Sequence, residues 1–201
     1  MSRTAPWRSW LLVLLLLLPL AGAAGVVLSQ DAPGPVPPGG NPRILNVVTT
    51  TNILADAARE VGGERVRVVS LMAPGVDPHL YRASQGDVRT LAEADVIFYN
   101  GLHLEGKMGE LLAGLARRVP TFAAAEVLPP SQLIPVEGTE GLYDPHVWHD
   151  VALWAQVVEG MAEALARVDP AGAPVYRQNA RRYAARLVEL DRWVRAQLAR
   201  V

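Results

Sequence analysis

The sequence contains no cysteine. That excludes disulfides and thiolate metal ligands, and with them the thiol that accepts the lipid anchor of many exported bacterial proteins. Basic residues are not in excess either. The formal charge is -1, and losing Arg3 and Arg8 with an N-terminal leader takes it to -3. A mildly acidic surface argues against nucleic-acid binding, which relies on basic patches facing phosphates. No Walker loop, dinucleotide fingerprint or His-Glu-x-x-His motif is present, and residues 101–109 contain glycine without phosphate-loop spacing. Ser70 and Ser84 come with no sign of the adjacent base and third group that a serine nucleophile needs. Histidine is scarce, limited to His79, His103, His146 and His149.

At the N-terminus, Arg3 and Arg8 precede an apolar run from Trp10 to Leu20, followed by the small residues Ala21, Gly22, Ala23 and Ala24. This is the order of an export signal. The run up to Leu28 is almost long enough to span a bilayer, so an uncleaved anchor is the rival, weakened by Gly22 and Gly25. Residues 1–28 are thus read as signal peptide or anchor. Residues 29–42 are rich in proline and glycine and form a spacer with no core to build.

From residue 43 the chain alternates short apolar runs with helical patterns. Strands are predicted over 44–49, 66–71, 96–99 and 121–123, and helices over 53–61, 85–94 and 104–119. The near-continuous apolar run at 66–71 suits a parallel strand covered on both faces. The alternation indicates an α/β fold with a four-stranded parallel sheet flanked by helices. Asn52 is the expected cap of the first helix, and Gly62-Gly63 ends it. Residues 129–143 form a loop with no histidine. Asp150 caps a helix over 151–168 whose buried face carries Trp154, Val157, Val158, Met161 and Leu165, and Asp169-Pro170 stops it. A last helix starts near Pro174 and has no stop signal through Val201, giving a length of about 40 Å.

Two blocks stand out, Asp77-Pro78-His79 and Asp144-Pro145-His146. Neutral imidazole binds Zn²⁺, Mn²⁺ or Fe²⁺ through one nitrogen while a partner holds the other. The preceding proline fixes φ and aims the ring at little ordering cost. Asp77 and Asp144 are expected to accept from nearby backbone donors, as turn aspartates do, or else to orient a ligating ring. One such turn is common and proves little; two that converge make half a metal site. His149, three residues after His146, is a weaker candidate, either beside the ligands or a surface imidazole. His103 follows the third strand and either lines the same mouth or caps locally. Glu105 reads as a first-turn acid near the positive helix end, and Tyr81 and Arg82 as packing or loop-orienting residues.

The sequence resembles the zinc- and manganese-binding receptors of bacterial ATP-driven importers, the cluster A-I solute-binding family. The likeness is carried by Gly75-Val76-Asp77-Pro78-His79-Leu80-Tyr81, Gln85-Gly86-Asp87 and Ala92-Glu93-Ala94-Asp95. It continues through Tyr99-Asn100-Gly101-Leu102-His103-Leu104-Glu105 and Asp144-Pro145-His146-Val147-Trp148. Order and spacing follow the family from about Ile44 onward.

The resemblance implies two α/β lobes joined by a long helix, with the ion between them. His79 and His146 match the two first-lobe ligands. Residues 43–170 then form the metal-binding lobe and 171–201 the beginning of the interlobe helix, with the second lobe and its two ligands absent. It further implies an extracytoplasmic protein, periplasmic or at the cell surface, that captures Mn²⁺ or Zn²⁺ for a membrane permease. A working receptor and a non-functional fragment both remain open. The loop at 129–143 lacks the histidine- and acid-rich character of many zinc receptors in the family, which leans toward manganese or toward either metal. Self-association through an exposed final helix is expected. Two other functions are open: a surface adhesin, and a metallohydrolase built on the His146/His149 pair.

Overall fold

A computed structural model describes residues 43–200; the leader and spacer expected at 1–42 lie outside them. Strands β1 (Leu45–Thr49), β2 (Val66–Ser70), β3 (Val96–Tyr99) and β4 (Thr121–Ala123) form one sheet in the order β2-β1-β3-β4. All three pairings are parallel, with Val47 opposite both Val68 and Val96, and Phe98 opposite Phe122. The helices are α1 (Asn52–Gly62), α2 (Gln85–Ala92), α3 (Gly109–Leu115), α4 (Val151–Val168) and α5 (Ala173–Leu198).

The two-residue period of a strand divides the core. Leu45, Val47, Val96 and Phe98 point to one face and pack with α1, α4 and α5, whereas Val48 and Ile97 point to the other and pack with Leu91 of α2 and Leu112 of α3. Both faces of the two central strands are therefore covered, which is why these strands are apolar at nearly every position. β2 departs from the expectation of two covered faces. It lies at the edge of the sheet, and Val69 is 44% exposed.

Thr51, rather than Asn52, caps α1: its hydroxyl accepts the Leu54 N–H at 3.3 Å. Asp150 caps α4, accepting from the N–H groups of Ala152 and Leu153 at 2.9 and 3.1 Å. The five apolar residues that predict a buried face on α4 are all buried. The largest departure is α3, which starts at Gly109 rather than near Leu104. Leu104, Met108, Leu112 and Leu115 are still buried, so the apolar spacing is satisfied without a helix over the first residues. The chain there turns the wrong way for one. Gly101, Leu102 and His103 have φ of 83°, 53° and 64°, a left-handed conformation that costs a non-glycine residue roughly 1–2 kcal/mol.

The topology also sets where a ligand sits. The chain runs from β1 to β2 on one side and then from β2 back past β1 to β3 on the other. The strand order reverses between β1 and β3, and α/β sheets bind ligands outside the C-terminal ends of the strands at such a switch point.

Candidate metal centre

Two segments converge at that end of the sheet. One is the loop after β2, which carries His79. The other precedes α4 and carries His146. The Nε2 atoms of the two imidazoles lie 3.1 Å apart, with ring centroids at 5.2 Å and planes at 60°. An ion bound to both by bonds of about 2.0–2.1 Å subtends an N–metal–N angle of roughly 95–100°. That lies between the octahedral and tetrahedral values. Residues 67 apart in sequence thus meet at one ion's coordination distance.

Each histidine backbone is held by its own turn, and the His146 ring as well. Asp77 Oδ1 accepts the His79 N–H at 2.9 Å, and Asp144 Oδ1 accepts the His146 N–H at 2.9 Å. Asp144 Oδ1 also lies 2.6 Å from His146 Nδ1. A proton on Nδ1 donated to this carboxylate leaves the Nε2 lone pair facing His79, the tautomer that a metal ligand requires. Donation from the His146 backbone, and then from its ring, holds the Asp144 carboxyl below the usual carboxylate value. Trp148 packs edge-on against the His146 ring, with centroids 5.2 Å apart. Among the described residues, no third histidine or carboxylate joins the pair as a ligand cluster.

Residues 47–201 match the family described as zinc-uptake complex component A, periplasmic. The chain belongs to this family. Among its relatives, the manganese-binding lipoprotein MntA of Bacillus subtilis (strain 168) is 45% identical over 157 residues, covering 78% of this chain and 51% of that protein. The zinc-binding protein TroA of Treponema pallidum (strain Nichols) is 44% identical over 149 residues, covering 74% and 48%. The solved periplasmic zinc-binding protein TroA of Treponema pallidum superposes with a TM-score of 0.75 at 41% identity, covering 79% of this chain and 56% of that one. The chain spans about half the length of the curated relatives it matches.

The remaining candidates separate in this fold. His149 is exposed on a 3-10 turn (Val147–His149), its ring centroid 6.4 Å from that of His146. It shares with His146 the wall of a cavity of about 450 Å³ that Asp191, Val194 and Arg195 of α5 also line. His103 is exposed and lines a different cavity, beside Tyr99 and Glu126. The serines have structural roles: Ser70 Oγ donates to the Met72 carbonyl, and Ser84 caps α2 in a reciprocal box with Asp87. Tyr81 donates to Asp87 at 2.8 Å, and burial, then that hydrogen bond, pushes its phenol up to about 12.

Glu105 is not a first-turn acid. No helix begins there, and the side chain turns inward to 4% exposure. Its carboxylate accepts from Thr50 Oγ1 at 2.6 Å, Asn100 N at 2.7 Å and Gly101 N at 3.2 Å. Burial pushes its carboxyl up, against the opposing effect of these donors. Asn100, also buried, donates Nδ2–H to the carbonyl of Pro145 at 3.0 Å. Asn100-Gly101 reads in sequence only as a turn. The signal that a buried network starts there was a polar run, Thr49-Thr50-Thr51, at the end of a central strand.

Proposed function

We propose that this chain is the metal-capturing lobe of an extracytoplasmic solute-binding protein. It binds manganese or zinc reversibly and hands it to the membrane permease of an ATP-driven importer. His79 and His146 are the ligands it supplies. The observation that carries this reading is the approach of two Nε2 atoms to 3.1 Å, one of them on a ring whose Nδ1 faces a carboxylate. The names of its relatives, manganese-binding and zinc-binding, agree with that donor set, since imidazole suits both ions. Binding of this kind makes and breaks no covalent bond. Residues 1–28 act as leader or anchor for export, and α5 is the start of the strut to a second lobe that supplies the remaining ligands.

Calorimetric titration with Zn²⁺ and Mn²⁺ tests the assignment. His79→Ala and His146→Ala should each lose most of the affinity. A double variant that titrates like the wild type would remove the binding site. The reading also includes self-association through the end of α5, where Leu190, Trp193 and Leu198 are 45%, 60% and 67% exposed. Light scattering should then give a mass that rises with protein concentration; a monomer throughout would refute this part alone.

A further inference from the structure

The two ligand-bearing loops leave the sheet at different strands, yet one buried carboxylate reaches the base of both. Glu105 Oε1 accepts from Thr50 Oγ1 and from the Asn100 N–H. Thr50 in turn accepts, through its carbonyl, the N–H of Met72 at 3.0 Å, at the start of the segment that leads to His79. Asn100 reaches the other way, donating Nδ2–H both to its neighbour Gly101's carbonyl at 3.1 Å and to the carbonyl of Pro145, the residue before His146. Pro145 has no N–H, so its carbonyl is the one backbone hydrogen-bonding group that it offers. The Asp144 turn fixes the imidazole relative to its own backbone. The Asp144 N–H is also held by the Ile134 carbonyl at 2.8 Å and Val147 is buried in the core, but it is the Asn100 bond that ties the turn to the end of β3. The left-handed backbone at Gly101, Leu102 and His103 brings Glu105 back under Asn100, and such a conformation persists where its surroundings hold it.

We propose that Asn100, clamped by Glu105, is a positioning residue that holds His146 in register with His79 and so sets the affinity of the site. The proposal rests on the reading of His79 and His146 as metal ligands. Neither Asn100 nor Glu105 touches the ion.

The test compares the full chain with Asn100→Ala, Glu105→Gln, Glu105→Ala and His146→Ala, titrated with Zn²⁺ and Mn²⁺ well below each protein's thermal midpoint. Asn100→Ala should weaken both metals roughly tenfold, the lower end of the range for residues that orient ligands. It should also speed solvent exchange of the His146 Nδ1 proton seen by NMR. Glu105→Gln retains an oxygen for Thr50 and Asn100 and should stay closer to wild type than Asn100→Ala does, whereas Glu105→Ala should match Asn100→Ala or fall below it. Wild-type affinity in Asn100→Ala alongside a loss in His146→Ala would overturn the positioning role. So would an affinity loss in Asn100→Ala accounted for wholly by a smaller folded fraction. Wild-type affinity in His146→Ala would instead overturn the ligand assignment beneath it.

Discussion

Asp144 shows how much one carboxylate does at this site. A single oxygen takes both the backbone N–H and the ring Nδ1 of His146. Removing it frees the turn and the tautomer together. Asp144→Ala should therefore reduce zinc affinity by roughly 10–100-fold, the usual effect of losing a ligand's hydrogen-bond partner. Asp144→Asn, which keeps the backbone acceptor without the charge, should fall between; calorimetry separates the two. His79, His146 and their turn aspartates were legible in the sequence because Asp-Pro-His encodes a local geometry within three residues. Glu105 was not legible. Its position depends on Leu102 and His103 adopting positive φ, and the apolar spacing through Leu104, Met108 and Leu112 reads equally well as a helix. Asn100 acts across 45 residues of sequence, a distance that no local pattern encodes.

Among the helices, the junction of α4 and α5 is held by a second buried carboxylate. Asp169 reads in sequence as a helix stop, and it is one, but its Oδ2 also accepts from Arg65 Nη2 at 2.8 Å and from the fully buried Tyr176 hydroxyl at 2.7 Å. Burial opposes ionisation of Asp169, yet Tyr176 and Arg65 outweigh it and hold the carboxyl below its ordinary value of 3.8. A carboxyl depressed in the folded state gives up its proton more readily there than in the unfolded chain. The stability it contributes is present above pH 3.8 and is lost as pH falls below that through the folded value. Acid titration of the thermal midpoint should show this loss, and Asp169→Asn should flatten it. Asp169→Ala should destabilise by about 3 kcal/mol at neutral pH, because it leaves Arg65 without its partner; chemical denaturation measures that. The helix that follows was predicted in type and length, but not in where its support ends. Tyr176, Ala180, Ala184 and Leu187 are buried, whereas Val188, Leu190, Trp193 and Leu198 are exposed. Amide hydrogen exchange should be slow up to Leu187 and faster beyond it, since protection follows buried contacts.

Across the whole molecule, the fold class followed from alternating strands and helices, and the sheet order then put both histidine loops at one end. What the pattern did not reveal was the edge position of β2, because an edge strand and a central one can share the same apolar run. The meeting of His79 with His146 has a consequence for folding as well as for capture. Between them lie α2, β3, α3 and β4, so an ion held by both imidazoles, as proposed, would close the loop between two positions 67 residues apart. Closing that loop in the unfolded chain costs entropy that the folded chain has already given up, so the ion would favour the native state. On that proposal, every tenfold excess of free ion over its dissociation constant would add about 1.4 kcal/mol to native stability, and the melting temperature itself would become a gauge of how much metal surrounds the protein.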